Sequence, residues 1–96
     1  MTTQFDVVVS REALHDIGRL EAWLIDKDMA ASAALGPLLQ HAIQSLAYFP
    51  QRGKPSGPRT RDLIVPFGGS AYRIRYYIAG ERVIVTAIWH SLERPA

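Results

Sequence analysis

The sequence predicts an α+β two-layer sandwich of order βααβββ, a helical hairpin packed on a small, mainly antiparallel sheet. Three observations carry this. Amphipathic helical stripes occupy residues 11–49, β-branched or alternating runs occupy residues 61–90, and a Pro/Gly-rich stretch separates them. A chain of 96 residues encloses one hydrophobic core and not two, so residues 1–96 are expected to form a single domain.

Phe5-Asp6-Val7-Val8-Val9 is short, apolar and β-branched, and reads as a strand. Ser10 then offers a helix N-cap, with Glu12 in the first turn to complement the helix dipole. Over residues 11–26, Ala13, Leu14, Ile17, Leu20 and Leu24 fall on one stripe. Arg11, Asp16, Arg19 and Asp26 fall away from it and are expected to be solvated. Trp23 lies at the stripe's edge, where core packing is expected. Asp28 caps a second helix whose stripe is Ala31, Leu35, Leu38, Leu39, Ala42, Leu46 and Phe49, completing an αα-hairpin. Gly36-Pro37 predicts a kink there, because proline has no amide donor and crowds the carbonyl of Ala33.

The run Pro50 to Pro58, PQRGKPSGP, has loop composition. Arg61-Asp62-Leu63-Ile64-Val65 reads as a strand bounded by Pro66 and a Phe67-Gly68-Gly69-Ser70 turn. From Ala71 to Ala79 the pattern alternates, with Tyr72, Ile74, Tyr76 and Ile78 on one face and Arg73, Arg75 and Tyr77 on the other. Gly80-Glu81 turns the chain into Arg82–His90, which is apolar on both faces like a central strand.

Composition excludes several chemistries. The chain has no cysteine, which removes thiol catalysis, disulfide scaffolds and cysteine-based metal sites. His15, His41 and His90 show no metal-ligand spacing, so no metal and no cofactor is expected. No nucleotide-binding glycine motif and no nucleophile elbow occurs. There is no run of membrane-spanning length and no secretory pattern at the start, so a cytoplasmic protein with no membrane partner is expected.

Charge is segregated along the chain. Residues 1–49 hold Arg11, Arg19 and Lys27 against Asp6, Glu12, Asp16, Glu21, Asp26 and Asp28. Residues 50–96 hold Lys54 and seven arginines against Asp62, Glu81 and Glu93. Arginine-rich surface suits phosphates and carboxylates, which guanidinium forks bind through two parallel hydrogen bonds. Arg73, Arg75 and Tyr77 share one strand face, Arg59 and Arg61 precede the neighbouring strand, and His90 and Arg94 end the last. Brought together, such groups could bind phosphate, stabilise a phosphorane and shuttle protons in metal-free RNA cleavage. They could equally anchor an acidic peptide, or form an ordinary solvated sheet face.

Several segments in order resemble the ParE/RelE superfamily of type II toxin–antitoxin toxins, often labelled plasmid stabilisation proteins. They are Ser10-Arg11-Glu12-Ala13, Leu46-Ala47-Tyr48-Phe49-Pro50 with Gly53, Arg61-Asp62-Leu63, Tyr72-Arg73-Ile74-Arg75-Tyr76, and Arg82-Val83-Ile84-Val85 with Trp89-His90. The resemblance implies a RelE/ParE-like fold and a growth-arresting toxin, held as a hetero-oligomer by a cognate antitoxin protein whose C-terminal segment folds over it. The RelE-like branch cuts mRNA on the ribosome without metal; the ParE-like branch inhibits DNA gyrase. Arg73 matches the Tyr-Arg strand position, which is catalytic in the ribonuclease branch. The second arginine of that branch falls at Leu92 here, its C-terminal tyrosine is missing, and Pro66-Phe67-Gly68-Gly69 replaces its lysine-rich segment. A histidine ending the last strand accords with the ParE-like branch, although Ser91-Leu92-Glu93 stands where that branch carries glycine and arginines. The resemblance therefore implies a gyrase inhibitor, not an enzyme, with Arg73, Arg75, His90 and Arg94 toward the target and Leu14, Trp23 and Tyr77 toward the antitoxin. Its alternatives are an mRNA endonuclease using Arg73 with His90 or Arg61, and a non-toxic antitoxin-binding member.

Overall fold

The computed structural model describes residues 4–93. In chain order it contains β1 (Asp6–Val9), α1 (Arg11–Ile25), α2 (Met29–Ser45), β2 (Lys54–Pro55), β3 (Thr60–Phe67), β4 (Ser70–Ala79) and β5 (Arg82–His90). The strands form one sheet ordered β1-β5-β4-β3-β2, in which β1 runs parallel to β5 and every other pairing is antiparallel. The two helices pack on one face, so the α+β two-layer architecture holds, with one strand more than expected. Lys54 and Pro55, inside the predicted loop, pair with Asp62 and Arg61 as a two-residue edge strand. An edge tolerates Pro55 because its missing N–H is not needed by a further neighbour. For the same reason β3 continues through Pro66, beyond the reach of β2.

Local chemistry explains the boundaries. Ser10 Oγ accepts the Ala13 N–H at 3.1 Å, and Asp28 Oδ1 accepts the Ala31 N–H at 3.0 Å, so each helix starts on a side-chain cap. The β3–β4 and β4–β5 hairpins turn through two residues, with Gly68 at φ 61° and Gly80 at φ 60°, a backbone region open to glycine at little cost. The interruption expected at Gly36-Pro37 does not occur, and α2 runs unbroken from Met29 to Ser45. Buried Leu35 and Leu39 hold the helix on both sides of the one backbone bond that Pro37 forgoes. At Gly36 a Cβ would lie 2.7 Å from Glu21 Oε2, the far end of a flexible side chain that can swing aside. One turn away, Ser32 Oγ donates to the Glu21 carbonyl at 2.8 Å.

The core joins Leu20 and Leu24 of α1, Leu35, Leu39 and Ile43 of α2, and the helix-facing side chains of the sheet. Three residues placed inward from their spacing lie outside it. Leu14 is exposed, as are Phe49, beyond the end of α2, and Trp23, which is 56% exposed with Lys27 Nζ 4.2 Å from its ring centroid. The smaller stripe Ala13, Leu20, Leu24 covers the sheet, because a 15-residue helix resting on one edge of a five-stranded sheet needs only a narrow face.

β5 carries the irregularity that orders everything near it. Its pairing with β4 shifts between Arg75 and Tyr76: Tyr76 faces Val85 but Arg75 faces Ala87, leaving Thr86 as an extra residue. The bulge reverses the inward–outward phase along β5. Val83 and Val85 face the helices before it, and Ile88 and His90 do so after it, opposite Ile74 and Tyr72. Trp89 is thereby turned to the helix-free face opposite Arg73.

Beyond Val85 β1 has ended, and α1 covers the vacant edge of β5. Ser10 N–H donates to the Val85 carbonyl at 3.0 Å, Asp16 Oδ2 accepts the Ile88 N–H at 2.9 Å, and Arg19 Nη2 donates to the Ile88 carbonyl at 3.4 Å. Asp16 and Arg19 are therefore substitute edge partners and not the purely solvated residues their helical position suggested. Asp16→Ala strands a buried amide and is expected to lower unfolding free energy by about 1–3 kcal/mol in urea titration, whereas Glu12→Ala on the same helix should stay within about 0.5 kcal/mol.

Candidate functional site

The face of the sheet away from the helices is built around one carboxylate. Asp62 of β3 is 3% exposed and stands opposite Arg75 of β4. Arg75 grips it with both arms of its fork, Nε to Oδ1 at 2.9 Å and Nη2 to Oδ2 at 3.1 Å. Ser56 Oγ donates to Oδ1 at 2.9 Å, and Arg73 Nη1 reaches Oδ2 at a longer 3.4 Å. Burial alone would raise the Asp62 pKa. The hydrogen bonds from Arg75 and Ser56 and the charges of Arg75 and Arg73 outweigh it and hold the group below its ordinary value of 3.8. Asp62 in turn raises the Arg75 pKa.

Trp89 floors this site. Its ring lies 4.8 Å from the Arg75 guanidinium carbon and is nearly buried, although it belongs to no part of the helix-side core. The arginine stems and the cation–π contact cover it from solvent. The two arginines are not equivalent. Arg75 is committed to Asp62 and Trp89, whereas Arg73, with a side chain 44% exposed and one long contact, keeps most of its donors toward solvent. Tyr77 is on the same face, half-buried, two positions beyond Arg75.

The other predicted residues are elsewhere. Arg61 pairs with Tyr76 on the helix-side face and donates to the carbonyls of Gly53 at 2.7 Å and Gln51 at 3.3 Å, bracing the loop before β2. Tyr76 completes that brace by accepting the Gly53 N–H at 2.8 Å and donating to the Pro50 carbonyl at 2.7 Å. Burial raises the Tyr76 pKa against the lowering effects of Gly53, Arg61 and Arg52. His90 is on the helix-side face at the other end of the strand, about 13 Å away along β4 at the rise of an extended chain. Its Nδ1 accepts the Leu92 N–H at 3.1 Å, its ring meets Tyr72 edge-on at 5.2 Å, and its backbone N–H donates to Glu93 Oε1 at 2.7 Å. Glu93 also binds Arg19 Nη1 at 2.6 Å; these partners overcome burial and lower its pKa. Arg94 lies outside the described residues. Arg73, Arg61 and His90 therefore do not converge: two occupy opposite ends of one face and the third occupies the other face.

Asp62 is the member of the site that the sequence reading gave no role. The signal was present as a single acidic residue in a strand paired with one bearing two arginines at alternate positions. Seeing it requires the β3–β4 register. Among the described residues, no group of three or more His, Asp or Glu side chains could hold a metal ion, and no helix is long and apolar enough to cross a membrane.

A family model described as the ParE toxin of the type II toxin–antitoxin system parDE matches residues 7–95. The chain belongs to the ParE toxin family. Within the wider ParE/RelE superfamily it is 51% identical over 90 residues to Toxin RelE1 of Caulobacter vibrioides, covering 94% of this chain and 97% of that one. It is 28% identical over 88 residues to Toxin RelE3 of the same organism, covering 92% and 96%. Two solved structures share the fold. A chain of the chromosomal ParDE system from P. aeruginosa superposes with a TM-score of 0.79 at 13% identity, covering 92% of this chain and 97% of that one. A chain of the RelBE2 complex from Mycobacterium tuberculosis does so with a TM-score of 0.65 at 21% identity, covering 97% and 98%.

The carboxylate at the centre of the open face makes this ParE-family chain sensitive to acid in a defined direction. Because the folded pKa of Asp62 lies below its unfolded value, its contribution is complete above the unfolded pKa and is lost as pH falls through the folded one. Glu93 acts with the same sign. Asp62→Asn is expected to lower stability by about 2 kcal/mol near neutral pH, less than for a fully buried pair because both arginines are partly exposed. The deficit should shrink at about pH 3, below the ordinary value, because the unfolded chain takes up the proton there while the folded carboxylate resists it. Urea titrations at both pH values check this, and an undiminished deficit in acid would assign the loss to something other than charge.

Proposed function

We propose that this type II toxin arrests growth by binding DNA gyrase through the open sheet face, with Arg73 as the available cationic contact and Arg75 holding the platform in shape. One observation carries the choice. Arg73 can offer charge to a phosphate or carboxylate, but among the described residues no histidine shares its face, Asp62 is held by Arg75, and the exposed Asp6 stands at the far end of the sheet, opposite Arg82 and about 20 Å along β4 at the rise of an extended chain. RNA cleavage requires a base and an acid as well as charge stabilisation. Target binding requires only the charge, and an arginine beside a rigid, aromatic-floored ion pair is suited to it.

The antitoxin is proposed to contact the exposed apolar residues of α1, Leu14 and Trp23, and to continue around the β1 edge. There the half-exposed Val8 pairs with Ile84, which faces Tyr77. The solved relatives named for ParDE and RelBE systems support a toxin–antitoxin pairing for this chain. A second reading, ribosome-dependent mRNA cleavage, is favoured by the relatives named RelE and by the position of Arg73; it needs the proton-transfer groups to come from outside this face.

Purified toxin titrated into gyrase and plasmid DNA distinguishes the readings. The expected result is dose-dependent loss of supercoiling with trapped DNA breaks, abolished by antitoxin. Arg73→Ala is expected to weaken inhibition at least tenfold while lowering the unfolding free energy in urea titration by no more than about 1 kcal/mol, because it gives up one long ion-pair contact and part of the cover over Trp89. Unaffected gyrase at doses that arrest growth, with transcripts cut at ribosomal A-site codons, would transfer the activity to the ribosome. Expression with no growth arrest would make the chain an antitoxin-binding member only. Trp23→Ala is expected to weaken antitoxin binding by at least tenfold in calorimetry with no comparable loss of stability.

A further inference from the structure

A second cationic surface lies at the end of the molecule where α2 runs out, bordering the Asp62 platform at Lys54. The segment from Ala47 to Arg61 carries Arg52, Lys54, Arg59 and Arg61 and no acidic residue. Among the described residues, none of the four is within ion-pair distance of a carboxylate. Lys54 stands across from Asp62 in register, but Arg75 and Ser56 already occupy that carboxylate. Arg61 is spent on the carbonyls of Gly53 and Gln51, and Arg52 holds Ser45 Oγ at 2.7 Å with its remaining donors free. Lys54 and Arg59 are exposed.

Two aromatic rings shortly before Arg52 in the chain stand outside the core. Tyr48 is 53% exposed and Phe49 67%, and Phe49 forms one wall of a shallow cleft of about 640 Å³ that Ser45, Pro50, Gln51 and Arg52 complete. The Arg52 N–H donates to the Phe49 carbonyl at 3.1 Å, so ring and guanidinium are held on one turn of backbone. At the other end of α2, some 25 Å away for 17 helical residues, the hairpin turn carries Asp26 and Asp28. The molecule is electrically lopsided, with Tyr48 and Phe49 toward the positive end and Trp23 toward the other.

The geometry points to this end as a binding surface for single-stranded nucleic acid. Arg52, Lys54 and Arg59 would meet the phosphates, and Phe49 and Tyr48 would stack on unpaired bases. Unpartnered cations attract any polyanion, but exposed rings among them add energy only with a ligand that has flat faces to offer. A duplex keeps its bases stacked on one another and an acidic peptide has few flat faces, so neither would use both features. The surface is independent of Arg73 and of the gyrase reading, and would place the toxin against an exposed strand in whatever complex it enters.

Fluorescence anisotropy with the intact protein and a labelled mixed-sequence 12-nucleotide DNA, and the same sequence in RNA, tests this without gyrase. Binding is expected with a log–log salt slope of about −2, as for three phosphate contacts on a single strand. Arg52→Ala/Lys54→Ala/Arg59→Ala should weaken it at least tenfold and flatten the slope. Phe49→Leu, which keeps the apolar bulk and loses the ring, should weaken it about fivefold or more. Both variants alter exposed side chains, and circular dichroism with unchanged urea midpoints confirms that they fold. Arg73→Ala should leave this binding unchanged, which separates the surface from the proposed gyrase contact. Absence of binding to either strand, equal affinity for duplex DNA or poly-glutamate, or indifference to Phe49→Leu would overturn the proposal.

Discussion

One extra residue in β5 decides what each end of this protein can do. Had β5 paired with β4 without a bulge, strict alternation from Val83 and Val85 would have carried Ala87 and Trp89 to the helices and Ile88 and His90 to the open face. The bulge at Thr86 inverts that order. It turns Trp89 out to become the floor beneath Arg75 and turns His90 in against Tyr72, where its ring nitrogen is spent on the Leu92 amide. The separation of histidine from arginine, on which the choice between binding and catalysis rests, follows from that single insertion.

The same stretch of β5 outlasts β1, and an uncovered strand edge is a hazard because its amides and carbonyls invite pairing. Here the cover comes from a helix. Ser10 caps α1 and simultaneously bonds to β5, and one turn on, Asp16 and Arg19 supply a carboxylate and a guanidinium to the two backbone groups of Ile88. Arg19 extends the clasp to Glu93, which holds the chain after β5. Helix start, strand edge and C-terminal turn are thus one connected unit.

Asp62 has the corresponding role on the other side of the sheet. A lone buried carboxylate would be costly, and Arg75 and Ser56 satisfy it at nearly ideal distances. What remains is a platform with an excess of positive charge, because one carboxylate cannot neutralise both Arg75 and Arg73. That surplus appears on Arg73, the less tightly held of the two, and leaves its guanidinium largely open to solvent. Membership of the ParE toxin family places this platform on a fold whose relatives are toxins of toxin–antitoxin systems.

By itself the sequence determined the two helices, the four longer strands, the layer architecture and the family. Those depend on short-range signals: the Ser10 and Asp28 caps, the three- and four-residue spacing of leucines, the glycine turns, and the alternation that sets Tyr72, Ile74 and Tyr76 against Arg73, Arg75 and Tyr77. It placed Arg73 and Arg75 on one face correctly because alternation within a strand is local. The tertiary structure alone decided which residues meet. Leu14, Trp23 and Phe49 left the core because the width of the covered face depends on where the helix lies on the sheet. Arg61 and His90 left the arginine face because facing depends on register and on a bulge that an apolar, two-sided strand conceals. Asp62 gained its role because a carboxylate's partner is chosen by the neighbouring strand, and Pro37 stayed inside α2 because packing on both sides outweighed one missing hydrogen bond.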